Sequence, residues 1–366
     1  MKKFGRILAL VSLVLVIAIS ACAPATPTEE QAQVEEPAAE EQAQVEEPAA
    51  EEQEMPSGKF TLYTSESEDK ANEMVADFNE VYPDVQVDVY RSGTGEVVGK
   101  LQAEMEGGEI QADVMWFADL DFFRKLSEAN MLLEYSPIGA DKVEDQYHYF
   151  GNQAHEVRFI FNIVAYNTTL VDTPPTGWKD LLKPEYKHKI GMASALYSGG
   201  AFNNLGALVN DPDFGWDFYE KLDENEVVVG RGNGGIGTKI ASGEFAMGQL
   251  IDFMARNLKN DGSPVEMIWP EEGAVLVPTP IGIYVNTENP EACKAFLDYM
   301  YSDGAQALFV DQNYMSVLPD GPLPKGFAEY PEGGIKIVIP PIDFMAEHRE
   351  ELRQKYEDLF GPPPEA

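Results

Sequence analysis

The sequence predicts an α/β fold in which two lobes, each a mainly parallel sheet flanked by helices, are joined by strands that cross between them. From Lys59 onward, short apolar strands alternate with amphipathic helices. Repeated strand–helix units are typical of a parallel sheet covered on both faces. A second set of units follows a long mixed strand at 157–166, and proline pairs at 174–175 and at 278 and 280 bracket it.

The first lobe is predicted from three strand–helix units. Its strands lie at 60–64, 85–89 and 113–117. A helix follows each strand, because apolar residues recur there at a spacing of three or four. The first helix begins near Asp69 and stops before Pro83, which cannot continue it. Apolar positions of the three helices are Ala71, Met74, Val75, Phe78 and Val81, then Val98, Leu101 and Met105, then Leu120, Phe123 and Leu126.

The second lobe is predicted from short buried strands at 190–193, 227–229 and 247–251, separated by helical or glycine-rich stretches. Small ligands often bind in a cleft between two lobes, and crossing strands supply a hinge. We therefore expect a hinged cleft. The expected boundaries are 58–158 plus 283–335 for lobe 1, and 159–282 plus 336–366 for lobe 2.

The amino terminus reads as an export signal that ends at a lipid-attachment site. A positive start is followed by an apolar run at 7–19 that is too short for a comfortable membrane span. The sequence Ile-Ser-Ala-Cys at 19–22 resembles the bacterial lipobox, in which a peptidase cuts before the cysteine. We expect 1–21 to be a signal peptide and Cys22 to be lipidated, which places the protein outside the cytoplasm on a lipid anchor. The alternative is an ordinary cleaved signal with an incidental cysteine.

An acidic repeat follows the signal. Residues 29–39 recur at 40–50, and a third copy begins at 51. Paired glutamates and few apolar residues predict a disordered linker over 22–57, because such a segment cannot bury enough surface to fold. An acidic interaction tail is the alternative.

Charge and cysteine content exclude some functions. The formal net charge is −37, so nucleic acid would be repelled. Any anion site must be built locally against this background. If Cys22 is lipidated, only Cys293 remains and no internal disulfide can form. Cys293 shares a helical face with Phe296, Leu297 and Met300, which predicts a buried structural thiol.

Several polar loops fall where a strand ends and a helix begins. The first N–H groups of a helix lack partners within it and favour anions, although a serine or threonine there is often only a cap. If loops of both lobes converge, we expect them to bind a phosphate, phosphonate or carboxylate. These candidate ligand residues are Ser65, Ser92, Gly93, Thr94, Ser198, Gly199, Gly200, Asn233 and Gly234.

Three acidic residues could accept hydrogen bonds from an ammonium or hydroxyl group of the same solute: Glu66, Asp119 and Asp252. Asp119 could equally cap its own helix. Replacing Asp252 or Ser198 by alanine is expected to weaken solute binding without unfolding the lobes.

For other polar and aromatic residues, the sequence leaves open whether they contact the solute or have a structural role. Arg158 could bind the anion or pair with a carboxylate of the second lobe. Tyr63, Trp116 and Trp269 could wall the cleft or belong to the core. The four histidines show no tight metal spacing, and His155 with Glu156 is interpreted as a surface pair, so no metal ligand is assigned and no cofactor is expected. Metal binding through other residues stays open, with Tyr63, Tyr147, Tyr149 and Tyr197 as the available phenols.

A glycine-rich segment at 227–237 contains G-x-G-x-x-G after a strand, with Asp252 about twenty residues on. That pattern imitates a dinucleotide-binding loop. Gly243 would end the following helix at 238–242 almost at once. We therefore expect this loop to serve a smaller anion or simply to turn.

Over 59–356 the chain resembles the type II solute-binding proteins of ABC importers, in the branch with ferric-, thiamine- and organophosphate-binding members. The order and spacing of the segments, more than any one of them, carry the resemblance. They are 60–65, 92–96, 112–116, 164–168, 178–182, 198–201, 241–244 and 299–309.

The resemblance implies a periplasmic-binding-protein-like II fold and a receptor that delivers solute to a permease driven by a cytoplasmic ATPase. Ferric members use two adjacent tyrosines where this chain has Phe253 and Met254, which supply no anionic oxygen. The favoured solute is a small organic phosphate or phosphonate. Ferric ion and a thiamine-like cation are alternatives.

Two other classes of protein stay open, an exported enzyme and an adhesive surface module. The sequence shows no G-x-S-x-G, H-E-x-x-H or phosphate-loop motif, so no catalytic residue is assigned. We expect a monomeric receptor without catalysis.

Overall fold

The computed structural model describes residues 55–325 and 334–365. Cys22, the signal peptide and most of the expected linker lie outside the described residues. Within the described ranges, no helix has the length and apolar composition needed to cross a bilayer.

Strands and helices alternate along the described chain. The strands are β1 (Gly58–Thr64), β2 (Val85–Arg91), β3 (Val114–Trp116), β4 (His148–Tyr149), β5 (Ala154–His155), β6 (Arg158–Phe159), β7 (Phe161–Asn167), β8 (Ile190–Ala193), β9 (Val228–Gly230), β10 (Met247–Ile251), β11 (Val265–Ile268), β12 (Ala274–Leu276), β13 (Ile281–Ile283), β14 (Met315–Ser316) and β15 (Ile337–Val338). The helices are α1 (Glu68–Val81), α2 (Thr94–Gly107), α3 (Leu120–Glu128), α4 (Gly199–Asn210), α5 (Gly215–Glu224), α6 (Asn233–Ser242), α7 (Asp252–Asn260), α8 (Pro290–Met300), α9 (Asp303–Asp311), α10 (Ile342–Glu347) and α11 (Arg349–Phe360). Short 3₁₀ turns lie at Ala140–Lys142, Asp145–Tyr147, Trp178–Leu182 and Pro184–Tyr186.

Two sheets form the cores of two lobes, as predicted. The first runs in the order β2-β1-β3-β13-β5-β4, and the second in the order β15-β12-β7-β10-β8-β9, with β11 beside β7. Both are mixed rather than mainly parallel. The units read from the sequence are parallel, as in β2-β1-β3 and β10-β8-β9. Strands such as β7 and β13 run antiparallel to their neighbours, because they enter a sheet from the other lobe without a helical crossover.

The chain crosses between the sheets near the middle of the molecule. The strand predicted at 157–166 is divided at Ile160 into β6 and β7. β6 pairs with β14 in a small separate sheet. A second crossing joins β12 to β13, whose Ile281 already pairs with Trp116 of the first sheet. The crossing therefore ends slightly before the boundary expected at 282–283.

Apolar faces of the helices pack on the sheets as their periodicity predicts. In the first lobe, Phe78 of α1 and Phe296 of α8 are fully buried and meet edge to face with ring centroids 5.1 Å apart. Cys293 is buried in the same cluster, as predicted. In the second lobe, Leu352 and Tyr356 of α11 belong to the core cluster, so the carboxyl-terminal helix is anchored to this lobe.

His155 and Glu156 are buried, each 1% exposed, which corrects their interpretation as a surface pair. They lie at the first crossing, directly before β6. Glu156 accepts hydrogen bonds from Thr279 N at 2.8 Å and from Tyr149 Oη at 3.2 Å. Because Thr279 lies on the second crossing, Glu156 ties the two crossing segments together.

The pH dependence of stability should report on Glu156. Burial raises the pKa of its carboxyl from the ordinary 4.5 to about 8, so the folded state holds the proton more tightly than the unfolded chain. This stabilisation is complete below pH 4.5 and is lost as pH rises towards 8, at a slope approaching about 1.4 kcal/mol per pH unit. Glu156→Gln imitates the protonated form. We expect the free energy of unfolding of the wild type to fall relative to that of the variant over this range.

Urea unfolding of both proteins at several pH values measures that difference. The comparison cancels the other titrating groups, since both proteins share them. Parallel curves from about pH 5 to pH 8 would show that Glu156 titrates normally.

Candidate functional site

A cavity of about 410 Å³ lies between the two lobes. Its wall is built where strands end and helices begin, because the carboxyl ends of parallel strands share one edge of a sheet. The helices α1, α2, α4 and α6 begin at this wall. Nine of the twelve candidate ligand residues line it: Ser65, Glu66, Gly93, Thr94, Ser198, Gly199, Gly200, Asn233 and Gly234.

The start of α4 brings the lobes into contact. Ser198 caps this helix by accepting from Ala201 N at 3.2 Å. A Cβ atom on Gly199 would lie 2.3 Å from the carbonyl oxygen of Ala118, in the other lobe. Beside it, Gly95 N of α2 donates to Tyr197 O at 3.2 Å. The lobes therefore touch through backbone on one side of the cavity.

The glycine-rich loop belongs to this cavity. Helix α6 begins at Asn233, earlier than the expected 238, and ends at Gly243, which adopts the left-handed conformation with φ 79°. Asn233 Nδ2 donates to Ser198 Oγ at 2.9 Å. Because Ser198 Oγ already accepts two hydrogen bonds, its own O–H is left to donate to a solute.

A second contact between the lobes involves Arg231, which the sequence analysis missed. Its guanidinium pairs with Glu96 of α2 at 2.5 Å and lies 4.6 Å from the ring centroid of Tyr197. The Ser92 hydroxyl also donates to Glu96 and, ahead of Arg231, lowers the pKa of that carboxyl. Ser92 is therefore engaged with Glu96 and lies outside the lining, contrary to expectation.

Glu66 offers no free carboxylate to the cavity, although it lines the wall. Its oxygens accept from Ser67 N at 2.8 Å, from Tyr314 Oη at 2.6 Å and from the Arg158 guanidinium. Arg158 is thus paired with a carboxylate of the first lobe, and its guanidinium lies 5.1 Å from the ring centroid of Trp116. The Trp116 ring therefore already has a cation against it, which makes it a poorer partner for a cationic solute.

Asp119 and Asp252 do not line the cavity, which corrects their expected role as ligand residues. Both carboxylates are bound to other groups of the protein. Asp252 is fully buried and accepts from Phe161 N at 2.9 Å and from Arg256 Nη2 at 2.5 Å. Asp119 caps α3 by accepting from Phe122 N at 3.0 Å, which is the alternative considered for it. Both carboxylates organise secondary structure and the contacts between elements.

Of the three aromatic candidates, Trp116 lines the cavity. Tyr63 instead donates to Glu104 at 2.8 Å. Trp269 packs in the core of the second lobe, edge to face with Phe161. The sequence could not show which of the three residues lines the cavity, because each of them follows or lies in an apolar segment.

Arg91 is another cavity residue that the sequence analysis missed. It is the last residue of β2, directly before the loop at 92–94, so its position at a strand end could have signalled it. Its Nε donates to Glu66 O at 2.7 Å. Arg158 and Arg231 are paired with carboxylates, whereas Arg91 forms no ion pair within the described residues. Its charge contributes to the lowered pKa of Glu96, but no salt bridge fixes its guanidinium, so Arg91 can still turn to a solute.

The remaining lining is apolar or carries unused polar atoms. Phe253 and Met254 face the cavity together with the aliphatic residues Ile160, Ile251 and Val277. Within the described residues, Trp116 Nε1, Arg158 Nε and Asn233 Oδ1 are buried and have no hydrogen-bond partner. The cavity therefore combines a cation that forms no salt bridge, and unused polar atoms, with an apolar wall. No group of three or more His, Cys, Asp or Glu side chains suited to a metal occurs in the described part of the chain.

Two relatives of similar sequence are periplasmic or transport proteins. The chain is 25% identical over 237 residues to a putative 2-aminoethylphosphonate-binding periplasmic protein of Salmonella paratyphi A, covering 61% of this chain and 66% of that protein. It is 24% identical over 188 residues to the phosphoglycerate transport regulatory protein PgtC of Salmonella typhimurium. The match covers 50% of this chain and 47% of PgtC.

Solved structures share the fold. The periplasmic binding protein AfuA of Actinobacillus pleuropneumoniae, bound to fructose 6-phosphate, superposes with a TM-score of 0.71 at 21% identity, covering 82% of this chain and 98% of AfuA. Iron-bound HitA of Pseudomonas aeruginosa superposes with a TM-score of 0.70 at 17% identity, covering 81% of this chain and 99% of HitA.

The family model described as bacterial extracellular solute-binding protein matches residues 73–334, which is well over half of the chain. The resemblance inferred from segment order is therefore confirmed. The chain belongs to the bacterial extracellular solute-binding proteins and is the receptor component of an ABC importer.

Proposed function

We propose that the solute of this receptor is a small organic phosphate or phosphonate. The observation that carries the proposal is Arg91, a lining arginine that forms no salt bridge among the described residues and lies among the starts of α1, α2, α4 and α6. Helix starts and an arginine together bind anions through N–H donors and positive charge. They also supply locally the attraction that a chain of net charge −37 lacks at long range.

The size and lining of the cavity support an organic solute rather than inorganic phosphate. A volume of about 410 Å³ falls within the range of sites for small organic molecules, roughly 300–1,000 Å³. A bare phosphate would leave much of it empty. The apolar side chains of Phe253, Ile251 and Val277 suit the carbon portion of a solute.

The electrostatics disfavour a thiamine-like cation. Arginines already lie against the rings of Trp116 and Tyr197, and the Glu66 carboxylate is fully engaged. Among the described lining residues, the other carboxylate is Glu365, near the carboxyl terminus. An amino group on the solute would therefore find little compensation. We infer that anions without an amino group bind better than zwitterions.

A ferric solute is disfavoured by the donor set. Fe³⁺ prefers anionic oxygen donors, and Phe253 and Met254 present a phenyl ring and a thioether. In the described lining, Tyr197 is the one phenol, and the Arg231 guanidinium lies 4.6 Å from its ring.

Calorimetric titration with a matched panel tests these inferences. The panel comprises fructose 6-phosphate, 3-phosphoglycerate, ethylphosphonate, 2-aminoethylphosphonate, inorganic phosphate, thiamine, spermidine and ferric citrate. We expect organic anions to bind, and ethylphosphonate to bind more tightly than its amino analogue. Binding restricted to thiamine, spermidine or ferric citrate would contradict the proposal.

Arg91→Gln should weaken the binding of a responding organic anion about 10- to 100-fold, because a charge-assisted hydrogen bond contributes about 1.5–3 kcal/mol. Arg91→Lys should recover part of that loss through its charge alone. Lys294→Gln removes the same charge from a pair with Glu291 on α8 and serves as the control. Equal affinities for wild type and Arg91→Gln would exclude Arg91 as the anion-binding side chain.

We also propose that Cys22 carries the lipid anchor, that 22–57 is a solvated tether, and that the receptor acts as a monomer without catalysis. The order of charged start, apolar run and small residues before Cys22 supports the anchor. Incorporation of labelled palmitate by the expressed full chain, lost in Cys22→Ser, is the expected result. Equal labelling of both proteins would contradict the anchor at this residue.

A further inference from the structure

The carboxyl-terminal helix α11 connects the two lobes outside the cavity. Its body packs on the second lobe, where Leu352 and Tyr356 are each 1% exposed. Its first residue, Arg349, reaches instead to the start of α3 in the first lobe. Arg349 does not belong to the cavity lining, so any influence on the solute must act through the position of the lobes.

The contact between Arg349 and Asp119 is bidentate. Nη1 donates to Oδ1 at 3.1 Å, and Nη2 donates to Oδ2 at 2.5 Å. The guanidinium also lies 5.2 Å from the ring centroid of Phe202 in α4. Asp119 is 7% exposed and Arg349 has an 11% exposed side chain. Two parallel charge-assisted bonds in a largely buried setting are stronger and more directional than an exposed ion pair.

Neighbouring charges reinforce the same junction. Arg349 Nη1 also lies 3.4 Å from Asp121. A further pair joins Arg124 of α3 to Asp343 of α10 at 2.8 Å. The Asp343 side chain is almost fully exposed, so this outer pair contributes little by comparison.

The position of Asp119 links the junction to the cavity wall. Asp119 follows Ala118, whose carbonyl oxygen faces Gly199 where the lobes touch. Opening the cleft there must separate Asp119 from Arg349, because one residue moves with each lobe. Removing Arg349 would leave the buried Asp119 carboxylate without its cation in the closed form, and removing the Asp119 charge would leave Arg349 only the longer contact with Asp121. Both changes disfavour closure.

We propose that Arg349 is a positioning residue that holds the two lobes closed on the solute through Asp119. The cluster of Arg349, Asp119 and Asp121 is called the latch. It acts on the equilibrium between open and closed lobes and makes no contact with the solute. The inference rests on the two-lobed receptor and not on the identity of the anion.

Arg349→Gln and Asp119→Asn test the latch. Asparagine is also a good N-cap, so Asp119→Asn removes the charge and keeps the cap of α3. Lys355→Gln is the matched control, because Lys355 lies on the same helix but pairs with Glu220 within the second lobe. Loss of the latch should raise the rate of solute dissociation about tenfold or more, with little change in the association rate.

Two measurements read out the result. Stopped-flow tryptophan fluorescence gives the dissociation rate of fructose 6-phosphate or of another panel compound that binds. Small-angle scattering gives the radius of gyration without solute. We expect faster dissociation and a larger radius for Arg349→Gln and Asp119→Asn, no additional effect in the double variant, and wild-type behaviour for Lys355→Gln.

A folded Arg349→Gln or Asp119→Asn with the wild-type dissociation rate and radius would overturn the latch. So would an equal change in Lys355→Gln, which would point to a general effect of charge on α11. If no panel compound binds, the proposal of an organic anion fails, while the scattering comparison still tests the latch.

Discussion

Gly199→Ala is expected to keep the two lobes apart and to weaken solute binding on the order of 100-fold, while each lobe stays folded. A Cβ at this position would lie 2.3 Å from Ala118 O and 2.7 Å from Thr94 Oγ1. The Thr94 hydroxyl can rotate, but the Ala118 carbonyl belongs to the backbone. Overpacking of this kind costs about 1–3 kcal/mol, and separation of the lobes relieves it.

The second lobe should tolerate the new methyl group. Alanine is favourable in a helix, and both close atoms belong to the first lobe. The strain therefore falls on closure and not on folding. A ligand that binds only the closed form has an apparent affinity proportional to the fraction of molecules that are closed. Because Gly199→Ala lowers that fraction, it should lower the affinity.

Titration and small-angle scattering, each with and without solute, measure the two effects. The control is Gly99→Ala on α2, where nothing lies within 4 Å of the added Cβ. It should keep wild-type affinity and gain about 0.5–1 kcal/mol in stability. Wild-type affinity and full compaction in Gly199→Ala would show that closure does not need the contact with Ala118.

Asp252→Ala is expected to lower the free energy of unfolding by about 3–5 kcal/mol, which is the largest stability effect anticipated here. Asp252 and Arg256 form a pair with side-chain exposures of 0% and 1%. Removing the carboxylate takes a charge partner from the buried Arg256 guanidinium and deprives Phe161 N of its acceptor. For this residue we therefore expect a loss of stability, in place of the sequence-based expectation of weaker binding without unfolding.

The midpoint of urea unfolding measures this loss. Asp217→Ala provides the comparison, because Asp217 pairs with Lys221 at the same i,i+4 spacing on an exposed face, where a much smaller loss of stability is expected. Similar midpoints for the two variants would mean that the buried pair contributes no more than a surface pair.

Local patterns predicted most of the secondary structure. Apolar spacing placed α1 and its end before Pro83, and it placed α3 around Phe123 and Leu126. The mixed direction of the sheets was not predicted, since strands such as β7 and β13 enter from the other lobe. That arrangement depends on the path of the whole chain.

The starts of helices were also sound guides to the cavity wall, because a strand end fixes where the next backbone N–H groups point. The acidic candidates were poor guides. Asp252 finds Arg256 four residues away, whereas Asp119 finds Arg349 at a separation of 230 residues. A carboxylate in a sequence shows its charge but not which cation will neutralise it.

By itself, the sequence determined the α/β class, the two-lobed receptor family and the loops that reach the cleft, because these follow from local periodicity, turn chemistry and the order of segments. Only the tertiary structure decided which charges are available. It pairs Glu66 with Arg158, and Arg231 with Glu96, and it leaves Arg91 facing the cavity. The physical reason is that neutralisation acts over a few ångströms in space, between residues that the chain can hold far apart in sequence.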